Sequence, residues 1–224
     1  MLSKSQIKLI TRLKQKKYRL QDGFFVVEGI KTIQELLQSK LTLHALYTIE
    51  TFNIDAKHEI LISETELKRI SFLTTPNKAL AVFKMPKPKP INTNGLIVAL
   101  DAVRDPGNLG TIIRLCDWFG IKDLVCSKET VDCFNPKVIQ ATMGSITRVN
   151  ISYVDLVEFL NEVELPVFGA FMEGETVYKK QLPNSGILVM GNEANGISKQ
   201  VEATIDEKIS IPRFGDLQAT ESLN

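Results

Sequence analysis

After Gly95 the chain alternates between short apolar runs and segments of helical period, and this alternation restricts the possible folds more than any other feature. Strands are expected at 95–101, 123–127, 148–153, 167–172, 186–191 and 207–211, with helices at 109–119, 136–143, 155–163 and 197–203. Such alternation implies a parallel sheet with helices on both faces. Ligands in these sheets sit beyond the carboxyl ends of the strands. Three glycine-containing loops fall at such ends, DPGNLG from Asp105, GNEANG from Gly191 and IPRFGD from Ile211.

The earlier portion reads as a smaller mixed α/β unit. Ile7, Ile10 and Leu13 recur at helical spacing, FFVVEG reads as a strand, and IKTIQELLQS as a helix with Ile30, Ile33, Leu36 and Leu37 inward. LTLHALYTI and ALAVFKM read as strands, and Ser63 with Glu66 three residues on forms a capping-box pattern. The alternating prolines of PKPKPINTNG favour extended chain. The domains are therefore drawn at 1–86 and 95–224, with 87–94 as linker.

Of the 224 residues 44% are hydrophobic and 24% charged, values of a globular chain with a buried core. No stretch approaches the roughly 20 apolar residues that cross a bilayer, and the first twenty residues lack the apolar core of a secretory signal. Cys116, Cys126 and Cys133 have no CxxC spacing, so reduced thiols in a cytoplasmic protein are expected and a zinc site is not. His44 and His58 stand apart from any cysteine or acid cluster. The net charge is only +1, yet seven lysines and arginines precede the first acid, Asp22. Lys14, Lys16, Lys17 and Arg19 are the candidates for phosphate contacts; a solvated helix face accounts for the same pattern.

The first loop gathers Asp101, Asp105, Asn108 and Arg114 around one strand-to-helix turn. Pro106 fixes a dihedral, Gly107 and Gly110 permit close approach, and Asn108 suits a helix cap. Ile112, Cys116 and Phe119 would face inward, leaving Arg114 either to pair with Asp117 or to meet a ligand. The chain has no GxGxxG after a strand, no GxxxxGK[ST], and too few histidines for a Ser-His-Asp set, which disfavours Rossmann dehydrogenases, P-loop enzymes and serine hydrolases.

Taken in order, the three loops resemble the motifs of the SpoU (TrmH-like) class of SPOUT RNA methyltransferases. LDAVRDPGNLGTIIRLCDWFGI is similar to the first, with Asn108 and Arg114 in its two key polar positions. LVMGNEANGIS is similar to the second through Gly191, Glu193 and Gly196, and IPRFGDLQATESLN to the third, where Ile211 and Pro212 are followed by Ser222, Leu223 and Asn224. KVIQATMGSITRV resembles the segment between motifs through Ala141, Gly144 and Ser145. KKYRLQDGFFVVEGIKTIQELL resembles the family's L30e-like substrate-binding domain.

The resemblance implies an α/β fold with a trefoil-knotted parallel-sheet methyltransferase domain, preceded by a small L30e-like RNA-binding domain. It implies that S-adenosylmethionine is held bent in the knot by Met190, Gly191, Gly196, Ile211, Pro212 and Leu223, without a metal. It implies a homodimer that methylates a ribose 2′-hydroxyl of ribosomal or transfer RNA. In the family Arg114 would act as base, with the RNA phosphate assisting. Because arginine stays protonated in proteins, a cation there could equally orient the phosphate and stabilise a developing alkoxide. Asn108, Glu193, Ser222 and Asn224 would position Arg114 and the ribose. Family members continue beyond Ser-Leu-Asn into a further helix, which is expected to be missing from a chain ending at Asn224. A non-catalytic RNA-binding protein that keeps the fold is the alternative.

Overall fold

The computed structural model describes residues 1–212. They form two units, one comprising Met1–Lys87 with Asp132–Thr147, the other Pro88–Val131 with the chain from Arg148 on. The first 87 residues hold α1 (Lys4–Arg12), α2 (Lys16–Asp22), β1 (Phe24–Glu28), α3 (Ile30–Leu37), β2 (Leu43–Thr48), β3 (Glu59–Leu61), α4 (Glu64–Ile70) and β4 (Ala79–Lys84). There follow β5 (Leu96–Leu100), α5 (Pro106–Trp118), β6 (Asp123–Ser127), α6 (Pro136–Thr142), β7 (Asn150–Val154), α7 (Leu156–Glu162), β8 (Val167–Thr176), β9 (Gly186–Met190), α8 (Lys199–Glu202) and β10 (Glu207–Ser210).

The first unit is built on a sheet in the order β1-β4-β2-β3, with β4 antiparallel to β1 and β2, and β2 parallel to β3. Val26, Tyr47, Leu80 and Val82 pack against Ile10 and Leu13 from the α1 region and Leu67 and Ile70 of α4. On β1 the residue before Val26, Phe25, points to the opposite face, as strand alternation requires. There it stacks on Phe83 at 6.0 Å and meets Phe134 at 4.8 Å. Phe134 is one reason why 132–147, read from the sequence as part of the second domain, groups with the first unit. Arg19 is another. Its side chain is 2% exposed and donates Nε and Nη2 to Asp132 Oδ2 at 3.0 and 2.6 Å, while Nη1 reaches the carbonyls of Leu13 and Lys14. Gly144 follows α6 with φ +96, and a Cβ there would lie 2.8 Å from the Glu35 side chain, so only glycine allows this approach. The Ser63–Glu66 capping box is present, and a second, Ser3–Gln6, opens α1.

The second unit is a six-stranded, wholly parallel sheet in the order β10-β8-β9-β5-β6-β7. Ile97, Ala99, Val125, Ile187 and Val189 share a core with Leu156 and Leu160 of α7 and Val201 of α8. The buried stripe of α5 is Leu109, Ile113 and Cys116, not Ile112, Cys116 and Phe119. The helix starts three residues earlier than the apolar period suggests, and Phe119, at its C-cap, is 71% exposed. Residues 88–91, part of the segment 87–94 read as linker, are held to this unit. The Asn150 side chain accepts from Lys89 N–H and donates to Lys89 C=O and Asp123, and Ile91 packs on the core.

Candidate active site

Strands β5 and β9 lie side by side in register, Leu100 opposite Met190, so their carboxyl ends are level. From β5 the chain departs through α5 to β6; from β9 it departs through α8 to β10, on the other side of the sheet. Adjacent parallel strands whose connections diverge leave a crevice, and this is where ligands of open α/β sheets bind.

The two loops that border the crevice are cross-linked. Asp101 N–H donates to Met190 C=O at 2.9 Å. Ser198 N–H donates to Asp101 Oδ2 at 2.7 Å. Asn192 Nδ2 donates to Ala102 C=O at 2.7 Å, and Asn108 Nδ2 donates to Glu193 Oε1 at 3.0 Å. Ala102 sits at φ +56, a region alanine seldom occupies, and is held there from both ends: its N–H donates to Ser127 Oγ and its C=O accepts from Asn192.

The loop after β9 closes on itself. Asn192 and Gly196 exchange backbone hydrogen bonds at 2.9 Å each way. Asn192 Oδ1 also accepts from the N–H groups of Ala194 and Asn195. A Cβ on Gly191 would lie 2.1 Å from the Gly196 carbonyl carbon and 2.3 Å from Ile197 N, so the bare backbone of Gly191 faces its own loop. Glycine at 191 is thus required by the closure that presents Glu193.

Asn108 is not the cap of α5. Asp105 is: its carboxylate accepts from Asn108 N–H at 2.8 Å, with Pro106 at the first helical position. Aspartate followed by proline is itself a helix-start signature. With Asp105 capping, the Asn108 side chain is free to reach Glu193. Arg114 lies six residues on, about 9 Å further along the helix axis. It is exposed, and among the described residues it has no ion-pair partner. The expected pair with Asp117 does not form, because Asp117 holds Arg148 Nε at 2.8 and 3.0 Å. Burial pushes the Cys116 thiol up to about 11, which leaves it protonated and unsuited to nucleophilic work at neutral pH.

Of the other sequence candidates, Met190 and Pro212 are half-buried and Ile211 is 74% exposed. Thr176, which ends β8 opposite Ser210, buries a hydroxyl that has no hydrogen-bond partner among the described residues. Ser222, Leu223 and Asn224 lie outside the described residues. In the first unit Lys14, Lys16 and Lys17 are exposed, but Arg19 is a buried structural cation and not a surface phosphate contact. Asp101 and Asn192 fasten the two loops; the sequence places Asp101 in the polar turn but gives neither residue a role of its own. No spacing rule marks them, since each works through tertiary bonds. Among the described residues no group of three or more His, Cys, Asp or Glu is placed to hold a metal ion, and no helix is long and apolar enough to cross a membrane.

Residues 95–224 match the SpoU rRNA Methylase family, and residues 4–81 match the MRM3-like substrate binding domain. A 23S rRNA guanosine 2′-O-methyltransferase of Bacillus subtilis is 28% identical over 95% of this chain and 88% of its own length. A structure described as a putative RNA methyltransferase of the TrmH family, from Porphyromonas gingivalis, superposes with a TM-score of 0.88. It is 36% identical over all of this chain and 94% of the other. An AdoMet-bound rRNA methyltransferase from Sinorhizobium meliloti superposes at 0.85 with 26% identity, covering all of this chain and 91% of that one. The sheet order, the two cross-linked loops and a family match over more than half of the chain lead to one assignment: the chain belongs to the SpoU rRNA methylase family.

Proposed function

We propose that this protein is an S-adenosylmethionine-dependent methyltransferase acting on a ribose 2′-hydroxyl of RNA, with ribosomal RNA the first substrate to test. The observation that carries the reading is the Asn108–Glu193 bond, which joins two motifs across the crevice while Arg114, on the same helix, is exposed and has no ion-pair partner among the described residues. The crevice end of the sheet suits the cofactor: Ile211 offers apolar surface to an adenine, and the Thr176 hydroxyl is buried with no hydrogen-bond partner among the described residues. Met190, Gly191, Gly196, Ile211, Pro212 and Leu223 would hold it, within the trefoil knot that the family resemblance implies. S-adenosylmethionine supplies its own electrophilic methyl group, so the protein's work is alignment and charge management.

Arg114 holds the RNA phosphate and stabilises the alkoxide that develops on the ribose oxygen. Asn108 and Glu193 fix the loops that border the ribose, and Ser222 and Asn224 complete the positioning. The first unit, through Lys14, Lys16 and Lys17, attracts the RNA backbone. The molecule works as a cytoplasmic homodimer. Leu115, Trp118 and Phe119, the last two 84% and 71% exposed, make an apolar strip along the end of α5 that a second copy would cover. The test is incubation of the full chain with methyl-labelled S-adenosylmethionine and total RNA, followed by nuclease mapping of the label. Label on a ribose, lost in Asn108→Ala and Arg114→Ala, is the expected result; no transfer to any RNA overturns the proposal.

A further inference from the structure

Two histidines that stand alone in the sequence come together in the first unit, beside an aromatic ring. His44 occupies a β-bulge: β2 pairs with β4 as Leu43 opposite Phe83 and then Ala45 opposite Val82, which leaves His44 as the extra residue. A bulge gives up regular pairing and re-aims a side chain. Here it turns the imidazole across β4 onto Phe24 of β1, with ring centroids 4.4 Å apart and planes tilted by 34°. Since β4 lies between β1 and β2, the two rings span two strand spacings, roughly 10 Å. Lys84, the register partner of Phe24, sits in the strand beneath. His58 donates its Nδ1–H to the His44 carbonyl at 3.2 Å, which fastens the bulge.

Phe24 closes the edge of the hydrophobic core, whereas His44 and Lys84 are exposed. Partial desolvation against Phe24, then Lys84 and His58, hold the His44 ring below its ordinary value, so it is a neutral aromatic plate at physiological pH. A residue that merely covered Phe24 would need neither a flat ring nor a lysine alongside. A neutral ring backed by a second ring and flanked by a cation has the make-up of a single-strand RNA contact, where an unstacked base lies on an aromatic face and its phosphate meets a lysine.

We propose that His44, backed by Phe24 and flanked by Lys84, is a stacking platform for one unpaired nucleobase of the RNA bound by the first unit. The proposal rests on the reading of this protein as RNA-binding. The probes are a mixed-sequence single-stranded RNA dodecamer and an abasic ribose-phosphate strand of the same length, titrated by fluorescence anisotropy against the full chain. His44→Ala should weaken binding of the dodecamer by about tenfold and leave the abasic strand unchanged. His44→Trp should restore the dodecamer's affinity, which separates stacking from folding. Lys84→Ala should weaken both probes and flatten the plot of log affinity against log salt by about 0.7. Equal affinities for wild type and His44→Ala, or equal losses on both probes, would overturn the platform. A wild-type chain that binds neither strand overturns the RNA reading itself. A chain that responds at His44 but methylates no RNA overturns the methyltransferase and leaves the platform standing.

Discussion

Changing Glu193 to Gln keeps the shape of the side chain and alters only what it can accept. One Glu193 oxygen accepts from Asn108 Nδ2 at 3.0 Å and the other from Asn192 Nδ2 at 3.2 Å. After Glu193→Gln one of these positions becomes an NH₂ donor facing another donor. Asn192 cannot turn its amide to adapt, because its Oδ1 accepts from Ala194 and Asn195 and its Nδ2 also serves Ala102. The new carbonyl must therefore face Asn192, and the exposed Asn108 turns instead. Two charge-assisted bonds become neutral ones, a loss of about 1 kcal/mol each in a buried setting. Exposure of Asn108 screens this to a total of about 0.5–1.5 kcal/mol. Urea denaturation should show that modest loss, while single-turnover methyl transfer at saturating cofactor should fall by about tenfold or more, the usual scale for disturbing a group that aligns reactants. In a double-mutant cycle Asn108→Ala and Glu193→Ala should couple by about 0.5–1.5 kcal/mol. Additive stabilities, with transfer within twofold of wild type in all three variants, would mean that the bond across the crevice does nothing for the reaction.

Arg114→Ala should leave the melting temperature within a degree or two, since no described partner is lost, yet cut transfer by roughly a hundredfold, with little rescue by Arg114→Lys; near-normal transfer by the alanine variant would remove Arg114 from the reaction. Arg19→Ala should destabilise the first unit by about 3–5 kcal/mol by removing a fully buried cation and stranding the largely buried Asp132 carboxylate, whereas Lys14→Ala should cost under about 0.5 kcal/mol; similar denaturation midpoints for the two variants would contradict the burial argument. Glu28 is held above the usual carboxylate range mainly by burial, against hydrogen bonds from Ser71 and Phe72 that lower it. Its folded form therefore binds a proton more readily than the unfolded chain, so wild type should gain stability relative to Glu28→Gln as pH falls from 7 through the raised value to the ordinary carboxylate range. Parallel melting curves across that range would show that the Glu28 environment has been misjudged.

The second unit was largely legible because each of its strands is a short apolar run bounded by polar turns, a signal local to a few residues. What could not be read was local in sequence but tertiary in cause. The helix KKYRLQD, α2, has too few apolar residues to announce a period, and it is stabilised by Arg19, whose partner Asp132 lies 113 residues away. The sequence therefore counted Arg19 among surface cations, as composition alone must. The excursion 132–147 reads like any other element of an α/β alternation; the pairing of Asp132 with Arg19 and the fit of Phe134 to Phe25 and of Gly144 to Glu35 decide which unit it joins.

The site shows the same division. Each motif announced its turn, through Asp-Pro, Gly and Asn, but alternation of strands and helices says nothing about strand order. Glu193 meets Asn108, 85 residues distant, only because β9 enters the sheet directly beside β5. Had β9 joined at an edge, the same two loops would have formed with the same local bonds and no crevice between them. The chemistry proposed for Asn108, Glu193 and Arg114 thus depends on one strand insertion. That insertion is fixed by the level pairing of Leu96–Leu100 with Gly186–Met190 and by the core that Ile187 and Val189 share with Ile97 and Ala99. A substitution that weakens that seam, far from any polar group, should therefore separate the two loops before it unfolds either.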